Sequence, residues 1–122
     1  MRMDRVNEQL KREISQILQQ EMGDPRFTFV SITKTDVSKD LRLAKVYFRV
    51  LGDEKQAVAV QRGLEGAGRK IRRFVAQRLT MRYTPDLTFI YDHMLDDQSR
   101  IEKMLEDIRY ESESSSSGDQ DA

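Results

Sequence analysis

The chain has no cysteine, which excludes disulfides, thiolate metal sites and a cysteine nucleophile. It has one histidine, His93, so no histidine cluster can hold a metal, and any Ser–His pairing would rest on that side chain. His93 follows a strand pattern in a polar stretch and reads as a surface histidine. No apolar run approaches the roughly 20 residues that span a bilayer. The start, Met1-Arg2-Met3-Asp4-Arg5, lacks the hydrophobic region of a signal peptide, so a cytoplasmic protein is expected. There is no phosphate-loop lysine motif and no G-x-G-x-x-G after a strand. Asp96 and Asp97 are adjacent carboxylates at a helix start, where caps are commoner than acid–base pairs. The sequence therefore offers no catalytic residue, metal site or cofactor, and an enzyme is not expected.

Charge of both signs is abundant. The formal net charge is zero, but residues 1–92 carry 18 Lys and Arg against 12 Asp and Glu, and residues 93–122 carry 3 against 9. A basic body with an acidic end points towards nucleic acid. A chain of 122 residues is enough for one domain with a real core. From Glu111 to Ala122 nothing can be buried, and a disordered acidic tail is expected.

Hydrophobic spacing sets the element order. Val6, Leu10, Ile14, Ile17, Leu18 and Met22 form one helical stripe, with Asp4 as candidate cap and Gly23-Asp24-Pro25 as terminator. From Phe27 to Val50 the period changes to two. A polar connection, Val37-Ser38-Lys39-Asp40-Leu41, reads as a hairpin. In its second strand Ala44, Val46, Phe48 and Val50 face one way, and Leu43, Lys45, Tyr47 and Arg49 the other. That second face is either a basic surface with an aromatic for stacking or the solvated side of a sheet. Asp53 or Glu54 then opens a helix through Ala57, Val60 and Leu64. Gly63-Leu64-Glu65-Gly66 matches a G-x-x-G clamp in form only, since Leu64 lies on the apolar stripe. Thr84-Pro85-Asp86 breaks the helical pattern at about Arg82. Leu87–Asp92 reads as a third strand buried on more than one side, and residues 96–110 offer a short helix.

The stretch Leu64–Leu79 holds the densest positive charge. Ile71, Phe74, Val75 and Leu79 share one helical face, while Arg69, Arg72 and Arg73 lie off it with Lys70 at the margin. Each internal glycine costs a helix about 1 kcal/mol relative to alanine. Gly66 and Gly68 therefore predict a helix–kink–helix with Gly66, Ala67 and Gly68 at the bend and exposed backbone N–H groups suited to a phosphate. Either these cations meet RNA phosphates or they are a solvated face.

These residues carry a resemblance to the ribosome-binding factor A family. Its Asp-Pro-Arg after the first helix matches Asp24-Pro25-Arg26, and its hairpin matches Val37-Ser38-Lys39-Asp40-Leu41. Its Ala-Lys-Val-Tyr strand matches Ala44-Lys45-Val46-Tyr47, its third strand Pro85, Leu87, Phe89 and Asp92, and its Arg-Ile matches Arg100-Ile101. The family's Ala-x-Gly kink stands here as Gly66-Ala67-Gly68, a glycine in the alanine's place. The resemblance covers about Met3 to Ile108. It implies an α+β, type II KH-like fold, helix-strand-strand-helix-kink-helix-strand, with a three-stranded mixed sheet whose third strand lies parallel beside the first. The implied organisation is a KH-like domain over 1–95, a helical extension over 96–110 and a tail over 111–122. The implied function is a non-enzymatic, monomeric assembly factor. It would bind the small (30S) ribosomal subunit and 16S rRNA, supporting late rRNA processing and maturation, notably in the cold. Arg69, Lys70, Arg72 and Arg73 are the expected RNA contacts, with Lys39, Arg42, Lys45 and Arg49 on the hairpin as the other set. The competing expectation is a protein–protein adaptor that docks through its sheet or its C-terminal amphipathic helix.

Overall fold

The computed structural model describes residues 2–93. The expected helix over 96–110 and the acidic tail over 111–122 lie outside the described residues. The elements are α1 (Arg2–Gln20), β1 (Val30–Val37), β2 (Leu43–Val50), α2 (Glu54–Arg78) and β3 (Asp86–Tyr91), with a 3-10 turn at Pro25–Phe27. Both helices pack on the sheet and against each other, which makes an α+β arrangement.

α1 forms where the stripe predicts it. Leu10, Ile14, Ile17 and Leu18 are buried, and Val6 and Met22 pack against the core from its edge. The helix starts before Asp4, which sits in the first turn and favours the dipole there instead of capping. Gly23 closes the helix with φ +63°, a conformation that glycine adopts without strain. Phe27 is not in a strand. Asp24 accepts from the Arg26 N–H at 2.9 Å and caps the 3-10 turn, which drops the Phe27 ring into the core.

β1 and β2 pair antiparallel from Val30↔Val50 to Val37↔Ala44, with a bulge between Ile32 and Lys34. The bulge flips the parity of the strand, so Val30 and Ile32 before it and Thr35 and Val37 after it all face inward. Thr35 is the one buried polar residue among those described, and its hydroxyl donates to the Asn7 carbonyl at 2.6 Å. The Asn7 side-chain oxygen accepts from the Val37 N–H at 2.9 Å, so α1 satisfies the end of this edge strand. On β2 the alternation is as expected, with Ala44, Val46 and Phe48 fully buried.

Two expectations are corrected here. β3 does not lie beside β1. The sheet order is β1-β2-β3, and β3 runs parallel to β2 from Leu43↔Asp86 to Phe48↔Tyr91. β2, α2 and β3 are thus one crossover unit, which returns the chain to the strand it left. As an edge strand β3 buries only Phe89 fully, with Leu87, Ile90 and Tyr91 half-buried.

The second correction concerns the kink. α2 is a single helix of 25 residues running unbroken through Gly66, Ala67 and Gly68, and it ends at Arg78, short of Arg82. Neither glycine takes a positive φ. The propensity cost of two glycines, about 2 kcal/mol, is outweighed because Val60 and Leu64 before them and Ile71 and Val75 after them are buried on one face. The helix also starts from a full capping box. Asp53 Oδ1 accepts from the Gln56 N–H at 2.9 Å, and Gln56 Oε1 accepts from the Asp53 N–H at 2.8 Å.

Candidate nucleic-acid interface

Because α2 is continuous, there is no exposed helix start in its middle, and the phosphate site expected at the bend is absent. What the helix offers instead is a stripe of cations. Arg62, Gly66, Arg69 and Arg73 are spaced four, three and four apart, so they share one face, and the three arginines are all exposed there. Arg62 was missed in the sequence because it precedes the dense cluster, although its spacing to Arg69 and Arg73 carries the signal. Gly66 is exposed and has nothing within 4 Å of where a Cβ would stand, so the helix presents bare backbone between these cations, whereas Gly68 lies about a third of a turn away and is half-buried. Lys70 is exposed about a quarter-turn away.

Arg72 behaves differently from its neighbours. Its guanidinium donates to the Thr84 carbonyl at 2.6 and 3.1 Å and to the Pro85 carbonyl at 3.2 Å, and lies 3.4 Å from the Asp86 carboxylate. It fastens α2 to the segment that leads into β3. Arg69, Arg72 and Arg73 line a hollow of about 440 Å³ with Ala76, Thr84 and Asp86. Arg42, from the hairpin, reaches the same place. Its guanidinium lies over the Tyr83 ring at 5.0 Å. The Asp86 N–H donates to its carbonyl at 2.9 Å.

The other hairpin cations are elsewhere. Lys45 and Arg49 stand on the outer face of the sheet, away from the helices. Arg49 donates to the Asp92 carbonyl at 2.7 Å and lies over the Tyr91 ring at 5.5 Å, and Lys34 lies over Tyr47 at 4.6 Å. Lys39 lines a third place, a groove of about 630 Å³ with Arg2, Met3, Leu41, Arg78 and Arg82 among its walls. Of the eight expected cations, Arg69, Arg72 and Arg73 line one hollow, which Arg42 adjoins through Arg72, and Lys70 stands apart from it on α2. Lys45 and Arg49 share the sheet face, and Lys39 is at the hairpin tip.

Arg78, which falls on the apolar side of α2 by angle, is explained by its partners. It donates to Glu21 at 2.8 Å and to Glu13 at 3.2 Å, clamping α2 to α1. Glu21 first, then Glu13, raises its pKa above the ordinary arginine value. It is a structural cation and not part of the exposed stripe.

The ribosome-binding factor A family model matches residues 2–105 of the chain. The chain is 44% identical over 110 residues to ribosome-binding factor A of Halothermothrix orenii, covering 90% of each chain. It is 42% identical over 108 residues to that of Staphylococcus carnosus, covering 88% of this chain and 94% of the relative. Among solved structures it resembles crystalline ribosome-binding factor A from Thermus thermophilus, with TM-score 0.66 and 28% identity over 73% of this chain and 94% of that one. It also resembles coordinates of the Thermus thermophilus factor fitted into a cryo-EM map of its 30S complex, with TM-score 0.59 and 30% identity over 70% and 90% of the two chains. Among the described residues no helix is long and apolar enough to cross a membrane.

Proposed function

The chain belongs to the ribosome-binding factor A family, and from that premise we propose that it binds the small ribosomal subunit as a non-enzymatic assembly factor. In this reading it contacts 16S rRNA, supports late processing and maturation of that RNA, including in the cold, and works as a cytoplasmic monomer without cofactor or metal. The observation that carries the reading is the exposed stripe Arg62, Arg69 and Arg73, with Lys70 beside it, on a rigid helix. Such cations gain most from releasing counterions off a phosphate backbone. The bare backbone at Gly66, on the same face, lets a polyanion approach the helix closely. If about four of these cations meet phosphates, affinity for small subunits falls roughly a hundredfold between about 50 and 200 mM salt. Co-sedimentation with small subunits across that series tests it, with the triple variant Arg62→Gln, Arg69→Gln and Arg73→Gln expected to bind weakly and to show a flatter slope. A folded triple variant with unchanged binding and slope would refute the reading.

One observation favours the adaptor reading. Phe29 and Leu51 are 61% and 74% exposed and adjoin through the Leu51 N–H, which donates to the Phe29 carbonyl at 3.1 Å. A partner docked on that corner would bind with little salt dependence, and Leu51→Ser would weaken it while leaving the stripe intact.

A further inference from the structure

We propose that the segment between α2 and β3, together with Arg42, forms a pocket for one unpaired guanine base of single-stranded RNA. The inference rests on the RNA-binding reading above and names what part of the RNA is read.

Three observations meet there. Tyr83 is 46% exposed, and the Arg42 guanidinium lies over its ring at 5.0 Å. An exposed aromatic with a flat guanidinium is the stacking surface that splayed bases use. Second, Arg42, Arg72, Tyr83, Thr84 and Asp86 line an open hollow of about 150 Å³, on the scale of one heterocycle. Third, this hollow shares Arg72, Thr84 and Asp86 with the larger one that Arg69 and Arg73 line. A base in the small hollow thus places its phosphates beside exposed arginines.

The base is chosen by Asp86. Its carboxylate only accepts hydrogen bonds; its Oδ1 is ion-paired to Arg72 Nε at 3.4 Å, longer than the hydrogen bonds Arg72 makes to the Thr84 and Pro85 carbonyls, and the side chain is 76% exposed to an incoming base. Two carboxylate oxygens match two parallel donors. Guanine presents such a pair, N1–H and the exocyclic amine, on its Watson–Crick edge. Adenine and cytosine each offer one donor beside an acceptor, and uracil one donor between two acceptors.

The test is fluorescence anisotropy of the full chain with short labelled oligouridines that carry one central guanosine, inosine, adenosine or uridine. Guanosine is expected to bind roughly tenfold more tightly than adenosine or uridine, and inosine, which lacks the exocyclic amine, to lose most of that gain. Asp86→Asn should abolish the preference and leave the salt-dependent background. Tyr83→Ala should weaken binding of the guanosine oligonucleotide, and Tyr83→Phe should retain it, with circular dichroism as the folding control. Equal affinity for all four, or a preference that survives in Asp86→Asn, overturns the pocket. GMP binding as tightly as the guanosine oligonucleotide would make this a mononucleotide site and overturn the RNA assignment. Small-subunit co-sedimentation in parallel separates the two readings. If subunits bind with a steep salt slope while the oligonucleotides bind alike or not at all, the pocket falls and the ribosome reading stands. If both fail, both fall.

Discussion

Arg72 Nη2 donates to the Thr84 carbonyl at 2.6 Å, across 12 positions of sequence. This separates it from Arg69 and Arg73, which sit within four residues and look equivalent in the sequence. Arg72→Gln removes contacts that seat the start of β3 and should cost about 0.5–1.5 kcal/mol of stability. Arg69→Gln and Arg73→Gln, singly or together, should stay within about 0.5 kcal/mol of the parent and lower affinity for small subunits instead. Urea unfolding beside subunit co-sedimentation distinguishes them, and a stability loss as large in Arg73→Gln would erase the distinction.

The glycines of α2 should respond in opposite ways. Gly66 and Gly68 are helical with open space around them, so alanine at each should stabilise by up to about 1 kcal/mol. That corresponds to a rise in Tm of about 4–8 °C per kcal/mol. At Gly63 a Cβ would stand 3.2 Å from the ring of buried Phe27 and 3.0 Å from the Arg26 guanidinium. Gly63→Ala should gain less than the other two or lose stability outright, because Phe27 has nowhere to go. Thermal melts of the three variants check the order.

Asn7 bonds both ways between α1 and β1, its carbonyl accepting from Thr35 and its side chain from the Val37 N–H. Asn7→Leu leaves that N–H without its partner at the end of an edge strand, at a cost of about 1–3 kcal/mol. The same variant should self-associate more readily, since the exposed N–H is a template for strand addition. Unfolding curves and light scattering read the two effects.

Asp40 supplies a pH-dependent element. The Ser38 hydroxyl, which donates to its carboxylate at 2.7 Å, and then the Arg42 N–H at 3.1 Å hold its pKa below the ordinary 3.8. A depressed folded pKa means the turn favours the charged form. Its contribution is complete above the unfolded value and is lost as pH falls through the lower folded value. An NMR titration should place the Asp40 midpoint below 3.8. Ser38→Ala should move it back towards that value, and an unchanged midpoint would show that the hydroxyl does not set it.

Local periodicity carried α1 and the two hairpin strands, because Leu10, Ile14 and Ile17 or Ala44, Val46 and Phe48 each repeat the period of their own element. What it missed was decided at a distance. Per-residue propensity predicts a break at Gly66 and Gly68, whereas burial of Leu64 and Ile71 on either side keeps the helix continuous through them. The neighbour of β3 depends on where the crossover lands, which no window of sequence contains. Arg72 takes backbone carbonyls as partners, and these leave no mark on residue identity. Tyr83 and Asp86 lie in or beside an irregular segment with no period to reveal them.

The parallel pairing of β2 with β3 also sets an order on synthesis. The β1–β2 hairpin can close as soon as Val50 is available, but β2 gains its second neighbour only once Asp86–Tyr91 has been made. A two-stranded sheet is marginal by itself, and a parallel strand cannot join until the whole crossover is in place. A nascent chain halted before Asp86 therefore carries β2 with one edge bare and Phe48 without Tyr91, whose ring meets it edge-on at 5.5 Å. Such a fragment should expose the bare edge of β2 to strand addition, and completion of the last strand is the step that closes it.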